Sequence, residues 1–124
     1  MIQVRHIVCC VDFSDFSRRA LDHAVAVATW YEARLTVMHA YNIPLATLAS
    51  APFLSPVPAD AVALAPADRE SLQRQLEALL PQGAAAGISV EYRIVEGDVA
   101  TAILRAAESA DLLVVGTHGR SGFA

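Results

Sequence analysis

The feature that most constrains the fold of this chain is an alternation of short apolar runs with longer amphipathic segments. Four runs of strand character cover residues 4–11, 34–41, 88–97 and 111–116. Between them the apolar period changes from about 2 residues to about 3.6, which is typical of helices. Strands that alternate with helices and are buried on both faces predict a parallel sheet with right-handed crossovers. The predicted fold class is therefore α/β, a Rossmann-like doubly wound parallel sheet.

Three helices are predicted between these strands. The first lies within residues 12–33, where Ser14 or Asp15 can cap its start and alternate turns place small apolar residues on one stripe. The second, within residues 67–82, has the clearest stripe, formed by Leu72, Leu76, Leu79 and Leu80. Asp98 is expected to cap the third, over residues 99–110. The third strand should turn Ile88, Val90, Tyr92 and Ile94 inward.

The stretch from Asn42 to about Ala65 interrupts the alternation. It is rich in alanine, serine and leucine and has hardly any charge, and prolines punctuate it and the residue after it at Pro44, Pro52, Pro56, Pro58 and Pro66. Proline removes a helical hydrogen bond and clashes with the preceding turn, so this spacing predicts a long loop with at most one short helical turn. Its apolar content indicates a surface for a partner.

Composition restricts the class of protein. A chain of 124 residues predicts one domain, 1–124. Its net charge of −4 provides no basic surface for nucleic acid. Mean hydropathy is +0.41, yet every candidate run of 18 apolar residues is interrupted, so no membrane span is expected. Asp12 follows the N-terminus too closely for a signal peptide. The prediction is a soluble cytoplasmic protein.

The cysteines and most histidines are expected to be structural. Neighbouring residues of a strand point to opposite faces, so Cys9 and Cys10 are poorly placed to form a disulfide with each other. Small buried core residues in a reducing compartment account for them. His6, His23 and His39 lie on separate elements without a shared spacing, which does not indicate a metal site.

Two strand ends have unusual residues: Asp12 after the first strand, and Gly116 and Gly119 after the fourth. Ligands of doubly wound sheets bind beyond the carboxyl ends of the strands, where the strand order reverses. If these two strands are neighbours, the features meet in one crevice. Asp12 could accept a hydrogen bond from a ribose hydroxyl or an amine, or form only an Asx turn. The glycines could bring backbone N–H groups to phosphate, with His118 and Arg120 beside them, or form an ordinary turn.

Several blocks resemble one family, in its order along the chain. These are HIVCCVDFSDFSRRALDHAVAVA, LTVMHAY, VEGDVATAIL and ADLLVVGTHGRSGF. The resemblance as a whole extends over essentially the whole chain outside the proline-rich segment. They are similar to the universal stress protein family. The resemblance implies an adenine nucleotide alpha hydrolase-like fold, ATP as a signal or stabilising ligand, Mg²⁺ accompanying the phosphates, and a homodimer.

The resemblance also implies site residues. Asp12 matches the acidic residue beside adenine and ribose, while Val11 and Ala40 match positions that line the adenine pocket. The loop that approaches the ribose and phosphates corresponds to Val115, Gly116, His118 and Gly119.

One part of the family pattern is missing from this sequence. ATP-binding members carry Gly-x-x-Gly, nine residues, and then Gly-Ser or Gly-Thr. Gly116 and Gly119 fit the first half, and the second pair would fall at about position 129, beyond Ala124. The expectation is a domain that lacks its C-terminal strand and helix, the strand being the one that often mediates dimerisation in the family.

Two other functions remain open at this stage. The missing glycine pair and the apolar loop favour a nucleotide-free protein that dimerises and docks partners. A slow ATP hydrolase ranks third, because the chain has no lysine and hence no lysine-bearing phosphate loop. Asp12 alone does not supply the base, charge neutralisation and metal ligands that phosphoryl transfer requires, so no catalytic residue is predicted.

Overall fold

The computed structural model describes residues 3–41, 66–81 and 83–116. Within these ranges four strands alternate with three helices, in the predicted order. The elements are β1 His6–Cys10, α1 Asp15–Tyr31, β2 Arg34–Tyr41, α2 Pro66–Glu77, β3 Val90–Glu96, α3 Val99–Ser109 and β4 Leu112–Val115. The predicted proline-rich loop of residues 42–65 lies outside the described residues, as do residues 117–124.

All strand pairs are parallel, and the strand order is β3-β2-β1-β4. The chain moves outward from β1 to β3 and then returns to place β4 on the other side of β1. The strand order therefore reverses between β1 and β4, which is where doubly wound sheets bind ligands. The predicted fold class is confirmed: this is a parallel, Rossmann-like α/β sheet.

Helices cover the two faces of the sheet. On one face α1 and α2 pack over alternate strand residues, which include the fully buried Ile7, Cys9 and Val37. On the other face α3 packs over the intervening residues, among them Val8 and Met38. Where both faces are covered, as along β1 and most of β2, the strands are nearly continuous apolar runs. The edge strand β3 instead alternates apolar and charged residues.

Local signals fix most of the helix and strand ends. The Ser14 hydroxyl caps α1 by accepting from the Ser17 backbone N–H at 3.2 Å. The second helix ends at Glu77, earlier than the predicted 67–82. Leu80 precedes Pro81, and a residue before proline disfavours helical geometry. After Glu77 the chain forms a tighter turn, in which the Leu79 N–H donates to the Leu76 carbonyl, three residues earlier, at 3.1 Å.

The predicted inward residues of the third strand are confirmed. Ile94 is buried, and the half-buried Ile88, Val90 and Tyr92 pack against the same core as α1 and α2. They alternate with the exposed Glu91 and Arg93 of the opposite face. No helix in the described ranges is both long and apolar enough to cross a membrane.

A set of hydrogen bonds joins the amino ends of β1 and β4. The Asp111 carboxylate accepts from the backbone N–H groups of Arg5 at 2.8 Å and His6 at 3.0 Å. His6 Nδ1 lies 3.0 Å from the Ser109 carbonyl, and Nε2 lies 2.8 Å from Thr36 Oγ1. Since a carbonyl only accepts, Nδ1 must donate to it, and Nε2 is hydrogen-bonded to the threonine hydroxyl. His6 is thus structural, as predicted.

Candidate functional site

The turn between β1 and α1 is held by short-range hydrogen bonds around Asp12. Its Oδ1 accepts from the Ser14 backbone N–H at 3.0 Å, while its own N–H donates to Ser17 Oγ at 3.2 Å. Hydrogen bonding to Ser14 is the main cause that lowers the pKa of Asp12, against a smaller opposing effect of burial. The structure therefore shows the Asx turn that the sequence allowed. Because Asp12 is also exposed and negatively charged, the turn presents a carboxylate at the carboxyl edge of the sheet.

The end of β4 lies against the first turn of α1. Cys10 is level with Val115 in the sheet, so Gly116 follows at the level of Val11. A Cβ atom on Gly116 would lie 2.9 Å from Ser17 Cα and 3.0 Å from the backbone of Phe16. Such contacts are shorter than real Cβ contacts and involve backbone atoms, so only glycine fits here. The predicted meeting of the β1 and β4 ends is confirmed.

The residues around this crevice lie on opposite faces of the sheet, because successive side chains of a strand point in opposite directions. Val11 packs with the core under α1, whereas Ala40 packs with Val95 and Ile103 under α3. Val115 is 37% exposed. The structure thus brings five predicted residues to the carboxyl edge of three adjacent strands: Val11, Asp12, Ala40, Val115 and Gly116. His118 and Gly119 lie outside the described residues.

His39 supports this edge through a contact that its neighbours in the sequence do not predict. Its Nδ1 lies 2.8 Å from the Val11 carbonyl and must donate to it. Its ring packs on Phe13, with centroids 4.6 Å apart and planes inclined by 55°. Phe13 has a φ of 66°, in the left-handed region that non-glycine residues seldom adopt. His39 therefore fixes the backbone just before Asp12. In the sequence, only its place near the end of a strand beside the site could have indicated this role.

Two thiols lie in β1, below the candidate site. Cys9 and Cys10 are free and buried, as predicted. Burial, with a smaller effect of the Cys10 charge, raises the pKa of Cys9 to about 12, and burial raises that of Cys10 to about 11. Both thiols therefore stay protonated and poorly nucleophilic at neutral pH. Among the described residues, no three histidine, cysteine or acidic side chains are grouped to hold a metal ion.

Comparisons with known proteins agree with this architecture. The sequence profile described as Universal stress protein family matches residues 3–124. No curated protein matches the chain. A universal stress protein family member from Burkholderia pseudomallei is 29% identical over 93% of this chain and 83% of its own, with a TM-score of 0.67.

Two further solved structures are similar. Protein Rv1636 from Mycobacterium tuberculosis H37Rv is 27% identical, with a TM-score of 0.63, over 100% of this chain and 79% of that one. A universal stress protein in complex with cAMP is 25% identical, with a TM-score of 0.62, over 92% of this chain and 77% of that one.

Proposed function

Because the chain belongs to the universal stress protein family, we propose that it binds an adenine nucleotide, specifically ATP, at the carboxyl edge of β1 and β4. The observation that carries the proposal is the close approach of Gly116 to the first turn of α1, beside the exposed Asp12 carboxylate. The similar universal stress protein in complex with cAMP supports an adenine nucleotide as the ligand class.

Each edge residue has a role that its chemistry permits. The Asp12 carboxylate accepts from a ribose hydroxyl or the adenine amine, while Val11, Ala40 and Val115 provide the apolar wall for the base. Gly116 brings backbone close to the ligand, and the N-terminus of the 17-residue α1 favours negative charge nearby. His118 and Gly119 lie outside the described residues, and their proposed contact with the ribose and phosphates rests on the family resemblance alone.

Mg²⁺ is proposed to bind only together with the phosphates of the nucleotide. The described residues provide no cluster that fits a resident metal ion, and Mg²⁺ commonly keeps several waters while binding phosphate oxygens. The role of the nucleotide is then that of a signal or stabilising ligand in a cytoplasmic stress response. The buried free thiols are compatible with that reducing compartment.

Calorimetric titration with ATP and with cAMP tests the proposal. Asp12→Asn keeps an oxygen that can accept from Ser14 but removes the charge, so ATP affinity should fall about tenfold. Asp22→Asn, on the exposed side of α1, is the matched control and should bind as wild type does. If the wild type bound neither ATP nor cAMP, the proposal would be contradicted. If Asp12→Asn bound ATP with unchanged affinity, Asp12 would not belong to the site.

Self-association is a second proposed property, supported by the exposure of β4. Within the described sheet β4 pairs with β1 alone, and Leu112 and Val115 are 36% and 37% exposed. An edge with unpaired backbone groups and apolar side chains is suited to pairing with another chain. We expect sedimentation equilibrium to show a dimer, which Leu112→Lys should weaken. A monomer at every concentration tested would refute this part.

A further inference from the structure

A groove apart from the candidate nucleotide site runs between α3 and β3. It encloses about 470 Å³, a volume typical of sites for small organic molecules. Its floor is apolar and is formed by Met38, Val95, Ala102 and Ala106. None of the five edge residues of the nucleotide site lines it. The groove is therefore a separate concave surface on the α3 face of the sheet.

Two arginines line this groove at the same depth. Arg93 lies three residues before the end of β3, about 10 Å below the carboxyl edge at the rise of a strand. Arg105 lies six residues after the start of α3, about 9 Å below that edge at the rise of a helix. Both arginines line the groove, Arg93 from β3 and Arg105 from α3, which runs back along the sheet after a short turn.

Two acidic residues, Glu96 and Asp98, also line the groove, at its end near the carboxyl edge of the sheet. Asp98 accepts from Thr101 N at 2.9 Å and from Thr101 Oγ1 at 2.8 Å, as the cap of α3. Glu96 ends β3 at the carboxyl edge. Glu91 lies 3.9 Å from Arg93, but both side chains are more than half exposed, and such surface pairs are weak. The two arginines can therefore engage an anion away from the acidic end.

We propose that this groove binds a small amphiphilic anion, an organic acid with an apolar body. Its carboxylate pairs with Arg93 and Arg105, since guanidinium groups recognise carboxylates through charge-assisted hydrogen bonds. Its apolar part covers Val95, Ala102 and Ala106. Repulsion by Glu96 and Asp98 orients the anionic end away from the carboxyl edge, and the serine and threonine hydroxyls of α3 complete a polar rim.

Octanoate is a suitable probe, and binding can be followed by NMR titration of the full chain. We expect the methyl signals of Val95, Ala102 and Ala106 to shift, and affinity to fall as salt is added. Arg105→Gln and Arg93→Gln should each weaken binding about tenfold. Arg74→Gln, an exposed arginine of α2 on the opposite face, is the control and should have no effect. Ala106→Leu should block the apolar floor while leaving the charge unchanged.

Three further probes separate the possible outcomes. Octanol has a comparable apolar tail without charge, and inorganic phosphate has charge without a tail, so both should bind at least tenfold more weakly than octanoate. Saturating ATP should leave octanoate affinity unchanged, because the two sites are separate. The proposal is overturned if octanoate does not bind, if either comparison probe binds equally well, if ATP competes, or if Arg74→Gln weakens binding as much as Arg105→Gln does.

Discussion

At the scale of single residues, Gly116 is the position with the strictest requirement. A Cβ atom there would meet backbone atoms of Ser17 and Phe16 at 2.9–3.0 Å. Gly116→Ala should therefore lower the free energy of unfolding by about 1–3 kcal/mol, the usual cost of overpacking, and reduce nucleotide affinity. Urea unfolding followed by circular dichroism gives the first quantity and calorimetry the second.

Gly83→Ala is the control for this experiment. Gly83 has a φ of +88° but open space around its Cβ position, so alanine there introduces only backbone strain of about 1 kcal/mol. Its nucleotide affinity should match that of the wild type. If Gly116→Ala binds ATP normally and is no less stable than Gly83→Ala, the close contact with α1 has no role in the site.

Residues also show where prediction from the sequence reached its limit. The positions of Asp12 and Gly116 at the carboxyl edge of the sheet were predictable, because each residue follows directly on an apolar strand run. The bond from His39 to the Val11 carbonyl joins residues 28 apart across two strands. Nothing in the residues around His39 encodes that partner, which depends on strand register and on the left-handed turn at Phe13.

At the scale of elements, Leu76 is the most deeply buried contact between α2 and the sheet, beside hydrogen bonds from Arg69 and Gln73 to the β3 backbone. Leu76 is fully buried, whereas Leu72, Leu79 and Leu80 pack only partly against the same core. Leu76→Ala should lower the free energy of unfolding by about 2–5 kcal/mol, because it removes buried methyl groups and leaves a cavity. Glu77→Ala, at the exposed neighbouring position, should change it by no more than about 0.5 kcal/mol. Equal effects of the two substitutions would show that α2 is not anchored in this way.

The elements themselves were largely predictable, and their ends less so. Arg34–Tyr41 is predicted and observed with the same bounds, and the Asp98 cap of α3 is confirmed. The first strand is shorter than the predicted 4–11, since Val11 already belongs to the turn that His39 holds. Apolar pattern marks where a strand is buried, but pairing with neighbours decides where it ends.

At the scale of the whole molecule, β1 is central because it joins the two halves of the sheet. Its residues pair with β2 on one side and with β4 on the other. The adjacency of β1 and β4, on which the candidate site depends, follows from the doubly wound topology rather than from either strand's own residues. The sequence predicted this topology from the alternation of apolar strand runs with helices. The groove between α3 and β3 could not be predicted, because it depends on how the helix lies across the sheet.

Asp111 joins the halves at the amino edge and should make stability depend on pH. The Arg5 N–H, followed by the His6 N–H, lowers the pKa of Asp111 by donating to the carboxylate. A group with a lower pKa in the folded state binds fewer protons there, so its stabilisation is present above the unfolded pKa of about 3.9 and is lost as pH falls through the folded value.

Asp111→Asn keeps an acceptor for both N–H groups but does not titrate in this range. At pH 6 the wild type should melt at a higher temperature than Asp111→Asn, and Asp111→Ala lower than both, because it leaves the two donors without this acceptor. At acid pH, once the pH has fallen through the lowered folded pKa, the protonated wild type should approach Asp111→Asn. Thermal melts of the three proteins over this pH range measure the effect, and a difference between wild type and Asp111→Asn that stays constant on acidification would show that the ionised carboxylate does not hold the two strands together.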